Sequence, residues 1–331
     1  MHLFDQPELA SQAFCYLMGQ APTLVEPASR GGRNAVFKAT LADGSSWAIR
    51  LGASGSGAEF ASGMGWQKML VDHGVPAIVS THLDAEGISC GSPCSIAPWT
   101  RARDAERVVG SLTPTELTAL GRSMAGWTRA MLPMIQSHAA RGAGLLRFGS
   151  AECSHATWWE YLSGNTKWRL ARARANPVWS QGQDQLMLGA FDSVWMGLRC
   201  AIDAAPLSLF AWDIGDRNAM LAPDGCPVAL VDVDELMVGD PLMAPALAWA
   251  ALSIQGLPTA HAEAWVHEPP WDRGPSIRER LRACSGYWLI NLISKIGMQS
   301  ATTGLAESGS APLARELLSS WIGGSVDLLR A

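Results

Sequence analysis

Residues Leu207 to Pro241 read LSLFAWDIGDRNAMLAPDGCPVALVDVDELMVGDP, and they place Asp213, Asn218 and Asp232 in order. An apolar run from Leu207 to Phe210 leads into the first carboxylate. A second run, Ala219 to Leu221, is followed by Pro223-Asp224-Gly225 and by a third run, Val228 to Val231, that leads to the last. The pattern predicts strand, loop, strand, turn, strand. Hairpin strands that finish side by side bring Asn218 and Asp232 to one end, near Asp213. Carboxylate and amide oxygens are hard ligands, suited to a magnesium ion that keeps most of its water. Taken alone, the same residues also fit an ordinary β-hairpin with polar ends.

The spacings narrow the choice. Asn218 follows Asp213 by five residues, Asp232 follows Asn218 by fourteen, and Gly239-Asp240-Pro241 comes after. This arrangement resembles the catalytic core of the kinase-like phosphotransferases, in the aminoglycoside phosphotransferase and choline kinase-like group. One departure is plain: the family usually has a histidine two residues before the catalytic aspartate, where this chain has Ala211. That histidine mainly braces the loop, so its loss bears on loop rigidity and rate more than on reaction type. The resemblance implies an α+β, bilobal, protein kinase-like fold. A small antiparallel-sheet N-lobe would span residues 1–98, and a larger, mainly helical C-lobe residues 99–331. It also implies ATP and Mg2+ as cofactors, Asp213 as the catalytic base, and Asn218 and Asp232 as metal ligands. Asp216 and Asp234 lie near the metal in the same reading. Size, Gly215 and an aromatic insert give a looser likeness to hygromycin phosphotransferases.

Composition bounds the rest. The chain has 331 residues, 48% hydrophobic and 17% charged, with a net charge of −5. That charge gives no general affinity for nucleic acid. No apolar run approaches the ~20 residues of a membrane span. Met1 to Ala10 has acidic residues and no basic region, unlike a secretory signal. The seven cysteines offer one close pair, Cys90 and Cys94, without partners at zinc spacing. Reduced cysteines and a cytoplasmic protein are the expectation; the oligomeric state is open.

The N-terminal third predicts a helix over 5–19, then strands at Val25 and 35–39 around Gly31 and Gly32. A glycine pair between strands lets backbone approach phosphate oxygens, and it stands where the family has its phosphate-covering loop. After the Asp43-Gly44 turn, the strand 46–51 carries Arg50 at the position of the kinase lysine. Glu59 opens a helix to about His73; the resemblance pairs it with Arg50, whereas a helix N-terminal glutamate also answers the helix dipole. Residues 77–83 and 88–97 read as two further strands. Ile96 and Pro98 then stand at the hinge whose backbone binds adenine in the family. Thr100 to Arg107 reads as a charged linker.

Beyond it, Thr113-Pro114-Thr115-Glu116 starts a helix with a buried stripe through Met131. Further helices are expected over 183–204, 245–254, 276–298 and 312–329, and His261 and His267 read as packing or surface residues. Residues 144–176 combine Trp158, Trp159, Tyr161 and Trp168 with Lys167, Arg169, Arg172 and Arg174. In related kinases this segment often helps build the acceptor pocket. Its basic character counts against a strongly cationic acceptor and suits an anionic, neutral or aromatic one; its tryptophans could also cage a quaternary amine. A helix with a solvated basic face and tryptophans in the core fits equally. The implied partner is a small-molecule hydroxyl acceptor, with no nucleic acid and no membrane. It would be an antibiotic or related aminocyclitol or sugar, or alternatively a metabolite such as choline, a methylthio-sugar or an amino alcohol. A nucleotide-binding relative that has lost activity is the third reading.

Overall fold

A computed structural model describes residues 6–30, 34–214, 218–268, 276–297 and 310–325. The chain divides into two compact units. The first comprises Met1–Ala102, Arg147–Gly149 and Ala229–Glu235, and the second takes the remainder.

The first unit begins with helix α1 (Pro7–Met18), which has proline at its first position and ends at left-handed Gly19. Strands β1 (Leu24–Arg30), β2 (Ala35–Thr40) and β3 (Ser46–Leu51) follow, then helix α2 (Gly57–Asp72) and strands β4 (His82–Asp84) and β5 (Cys94–Pro98). They form an antiparallel sheet in the order β1-β2-β3-β5-β4. Alternation along β2 turns Ala35, Phe37 and Ala39 inward. They pack with Ile49, Leu51, Cys94 and Ile96 against Ala10, Ala13 and Phe14 of α1. Register sets Arg50 opposite Val36 on one side and Ser95 on the other.

Two expected strands are shorter than the sequence suggested. The Asp84 carboxylate accepts the Gly87 and Ser89 amides at 2.9 and 2.7 Å, so the chain folds back on itself before β5 begins at Cys94. Such Asx-type bonds compete with a sheet ladder. Upstream, Ile78 donates to the Leu230 carbonyl at 2.9 Å, and Leu230 donates to that of Pro76 at 2.8 Å. These bonds tie the segment Ala229–Glu235 to the first unit.

In the second unit the expected linker is partly ordered: strand β6 (Arg103–Asp104) runs into helix α3 (Ala105–Val108), which Asp104 caps through the Glu106 amide. Helices α4 (Pro114–Met131) and α5 (Met134–His138), strand β7 (Gly144–Leu146) and helix α6 (Trp158–Ala175) come next. Thr113 with Glu116, and Thr157 with Glu160, form reciprocal capping boxes on α4 and α6. The helix expected over 183–204 is two, α7 (Gly182–Gly197) and α8 (Arg199–Asp203), separated at Leu198. Strands β8 (Ser208–Phe210), β9 (Ala219–Leu221), β10 (Pro227–Leu230) and β11 (Leu236–Gly239) make two small sheets, β10-β9-β6 and β7-β11-β8. Helices α9 (Met243–Gln255), α10 (Ala260–His267), α11 (Ile277–Ile293) and α12 (Ser310–Ile322) complete the unit. Nearly all of α11 is buried, against α9 and α6 among others. A side chain at Gly121 would collide with the His261 carbonyl, so α4 and α10 meet at that glycine. No helix among the described residues is long and apolar enough to cross a membrane.

Candidate active site

The first unit contributes a cation held by two carboxylates. Arg50 Nη1 and Nη2 donate to Asp234 Oδ1 and Oδ2 at 2.9 and 2.7 Å, and Nη2 donates to Asp232 Oδ1 at 2.6 Å. The guanidinium also lies 4.9 Å from the Phe60 ring centre. Burial works against the Arg50 charge. The hydrogen bonds to Asp234 and the charges of Asp232, Asp234 and Glu59 outweigh it, so its pKa is raised further. Arg50 therefore hydrogen-bonds Asp234 and Asp232, while Glu59, in the first turn of α2, acts on it through charge. Asp234, which the sequence placed near the metal, is a partner of Arg50, a role that sequence reasoning did not give it. The alternation Asp-Val-Asp was the available signal, since residues two apart in extended chain share a face. Gly63 of α2 lets that face come close: a Cβ there would sit 2.6 Å from Asp234 Oδ1.

Asp232 has φ +58, and only Ala139 shares a positive φ among described non-glycine residues. The conformation suits a short polar side chain better than most, and strain of this kind clusters at functional sites. The Asp232 side chain is 54% exposed, against 16% for Arg50 and 20% for Asp234.

Ile96 is buried, faces Ile49 across the sheet, and its carbonyl accepts the Thr81 amide at 2.8 Å. Pro98 closes β5, and the following Trp99 amide donates to Ser46 at 3.0 Å. Sheet bonds thus engage the Ile96 carbonyl and the Trp99 amide. Gly31, Gly32 and Asp216 lie outside the described residues.

In the second unit, β8 delivers the chain to Asp213 and β9 receives it after Asn218. Asn218 Nδ2 donates to the Asp213 carbonyl at 2.9 Å, which closes the loop and leaves the amide oxygen as the end available to a ligand. Ala211 is buried in the place of the family's histidine. Its neighbour Trp212 stacks on Trp288, with ring centres 5.7 Å apart and planes 1° from parallel. Trp288 is itself anchored by its indole N–H on the Met243 carbonyl at 2.9 Å. An aromatic stack therefore braces the approach to Asp213.

Gly239-Asp240-Pro241 is architectural. The Asp240 carboxylate takes Arg280 Nε and Nη2, both at 2.8 Å, with each side chain 2% exposed. It also accepts the Leu242 amide at 3.0 Å, which fixes the start of α9. A Cβ at Gly239 would strike the Trp158 ring. In α6, Trp158 and Tyr161 are buried, whereas Trp168 is 59% exposed beneath Arg172. Arg169 turns inward, 4.2 Å from the Tyr287 ring centre.

Asn218 of the second unit and Asp232 of the first each carry a hard oxygen of the kind magnesium takes, and no cluster of three or more His, Cys, Asp or Glu side chains able to hold a metal occurs among the described residues. Magnesium commonly binds through one or two protein oxygens plus phosphate and water.

The architecture, a small antiparallel sheet unit followed by a helical one, is that of the kinase-like phosphotransferases. Among solved structures, a thermostable mutant of aminoglycoside phosphotransferase APH(4)-Ia superposes with TM-score 0.64 at 15% identity, covering 95% of this chain and 98% of that chain. The GDP complex of wild-type aminoglycoside 2'-phosphotransferase-IIIa has TM-score 0.63 at 12% identity, over 96% and 99%. Macrolide 2'-phosphotransferase MphH from Brachybacterium faecium has TM-score 0.57 at 14% identity, over 96% and 98%. No curated protein matches the chain in sequence. The model of the phosphotransferase enzyme family (APH) matches residues 24–274. The chain belongs to that family, and it is an enzyme of the small-molecule kinase class.

Proposed function

We propose that the protein transfers the γ-phosphoryl group of ATP to a hydroxyl of a small molecule, with Mg2+. The observation that carries the reading is the loop between β8 and β9, where Asn218 is bonded to the main chain of Asp213 at 2.9 Å. Asp213 orients the acceptor hydroxyl and takes its proton as the acceptor oxygen bonds to the γ-phosphorus. The bond from that phosphorus to the β–γ bridging oxygen breaks, and ADP leaves. Arg50, held by Asp234 and Asp232, meets phosphate oxygens. Glu59 adds negative charge near Arg50, the backbone at Ile96 and Pro98 takes the adenine, and Gly31 and Gly32 cover the phosphates. Asn218 and Asp232 hold the magnesium, which when bound offsets charge on the phosphates. Placement and electrostatics supply the rate, with no covalent enzyme intermediate.

The acceptor is a hydroxylated antibiotic, aminocyclitol or sugar. APH(4)-Ia has been crystallised with AMP-PNP and hygromycin B, which supports this choice. A second reading, a metabolic hydroxyl kinase of the same fold, is favoured by Arg169, a cation set among aromatic rings. The test is ATP consumption with Mg2+ across a panel of antibiotics and hydroxylated metabolites, with Asp213→Ala beside the native chain. Turnover with one acceptor, lowered by roughly 100-fold or more in the variant, supports the reading. Equal turnover in the variant overturns the role given to Asp213.

A further inference from the structure

Three arginines with buried or half-buried side chains among the described residues are matched to carboxylates. Arg280 has Asp240 at 2.8 Å, Arg315 has Asp184 at 2.8 and 2.9 Å, and Arg50 has Asp234 and Asp232. Arg282 Nη2 is bonded instead to the carbonyls of Trp321 and Ile322, and its Nε has no partner among the described residues. Arg169 differs. Its Nε and Nη1 are buried, and neither has a hydrogen-bond partner among the described residues. The guanidinium lies 4.2 Å from the ring centre of Tyr287 and 6.0 Å from that of Trp288. Stacking on an aromatic face stabilises the charge but leaves the in-plane N–H groups without acceptors. Burying charged donors in this state is costly.

The position of this cation gives it a purpose. Trp288, which Arg169 approaches, is the ring on which Trp212 stacks at 5.7 Å, and Trp212 immediately precedes Asp213. A chain of ring contacts through buried Trp288 therefore joins the guanidinium to the loop of the proposed base, and all of these residues belong to the second unit. Between Trp158 and Asn176 only Glu160 carries negative charge, and it is engaged in the capping box at the start of α6.

We propose that Arg169 is a specificity-determining residue that receives an oxyanion of the acceptor, a carboxylate or a phosphate, while the acceptor's hydroxyl faces Asp213. The substrate class is then a hydroxy acid or sugar phosphate. This rests on the phosphotransferase reading and takes its second, metabolic acceptor class over the antibiotic one. A planar guanidinium suits a two-oxygen anion, and a fixed arginine beside the reacting hydroxyl repels polycationic acceptors.

The experiment pairs each hydroxy carboxylate or sugar phosphate with its neutral analogue, the hydroxy amide or the free sugar, and measures ATP turnover with Mg2+. Native protein, Arg169→Ala and Arg169→Lys are compared. The expected result is turnover confined to the anionic member of a pair. Arg169→Ala should raise its KM by about 10- to 100-fold, the equivalent of a lost charged hydrogen bond, with the nucleotide KM unchanged. Arg169→Lys should recover part of the loss, since it keeps the charge without the fork. Melting temperatures of the three proteins separate a binding defect from a folding one. Should both variants fail to fold, the native protein's preference within each pair decides alone. Turnover of neutral or cationic acceptors that is indifferent to Arg169 overturns this inference and leaves the kinase reading standing. Absence of Mg-ATP binding by the native protein overturns both.

Discussion

His261 shows how a single buried residue makes the molecule pH-sensitive. Its side chain is fully buried, and neither ring nitrogen has a hydrogen-bond partner among the described residues. Burial lowers its pKa from 6.5 to about 4. Because the folded pKa is depressed, the unfolded chain binds the extra proton between those two values. The stabilising effect is complete above about pH 6.5 and is lost as pH falls through about 4, roughly 3 kcal/mol in all. Denaturant titrations at a series of pH values should show this slope, and His261→Leu should flatten it; an unchanged slope would contradict the assignment. The residues of the proposed site divide by what local sequence can express. Asp213, Asn218 and Asp232 could be proposed because their spacing is a local property, and Arg50 because of its place on the strand 46–51. The Asp234–Arg50 fork was not, since it joins residues 184 positions apart. For the same reason no local pattern showed that Trp212 would find Trp288.

At the scale of elements, helices with local start signals were read closely. The capping box at Thr113 is written within four residues, and α4 begins at Pro114, directly after that cap, whereas the box at Thr157 was not read. Strands were less legible. The apolar pattern of 77–83 and 88–97 gave no warning that the Asp84 carboxylate would fold the chain back before β5. The ordering of β6 and α3 within the expected linker depends on pairing of Arg103 with distant Leu221. Gly239-Asp240-Pro241 was recognisable as a motif, but its work is mechanical: it pins β11 and α9 to α11 through Arg280. Removing one member of a buried ion pair leaves the other uncompensated. Asp240→Asn should therefore lower stability by about 3 kcal/mol, read as a fall in the denaturant midpoint of the folded chain. A midpoint equal to that of the native protein would mean that the Arg280 pair contributes nothing net.

For the whole molecule, the sequence anticipated a small sheet unit and a larger helical one, divided at residue 98. The compact units divide at Ala102, and Ala229–Glu235 returns to the first, held by the bonds between Leu230 and residues 76–78. That return assigns Arg50 and Asp232 to one unit and Asp213 and Asn218 to the other, an allocation that no local pattern could reveal. The proposed activity draws on residues of both. Its central claim is that this chain binds a nucleotide triphosphate together with magnesium. Calorimetric titration of the native protein with ATP, in the presence and absence of Mg2+, tests that claim most directly. The account predicts binding that is strengthened by Mg2+, with the strengthening lost in Asp232→Ala. No binding under either condition, or binding indifferent to both Mg2+ and Asp232, would contradict it.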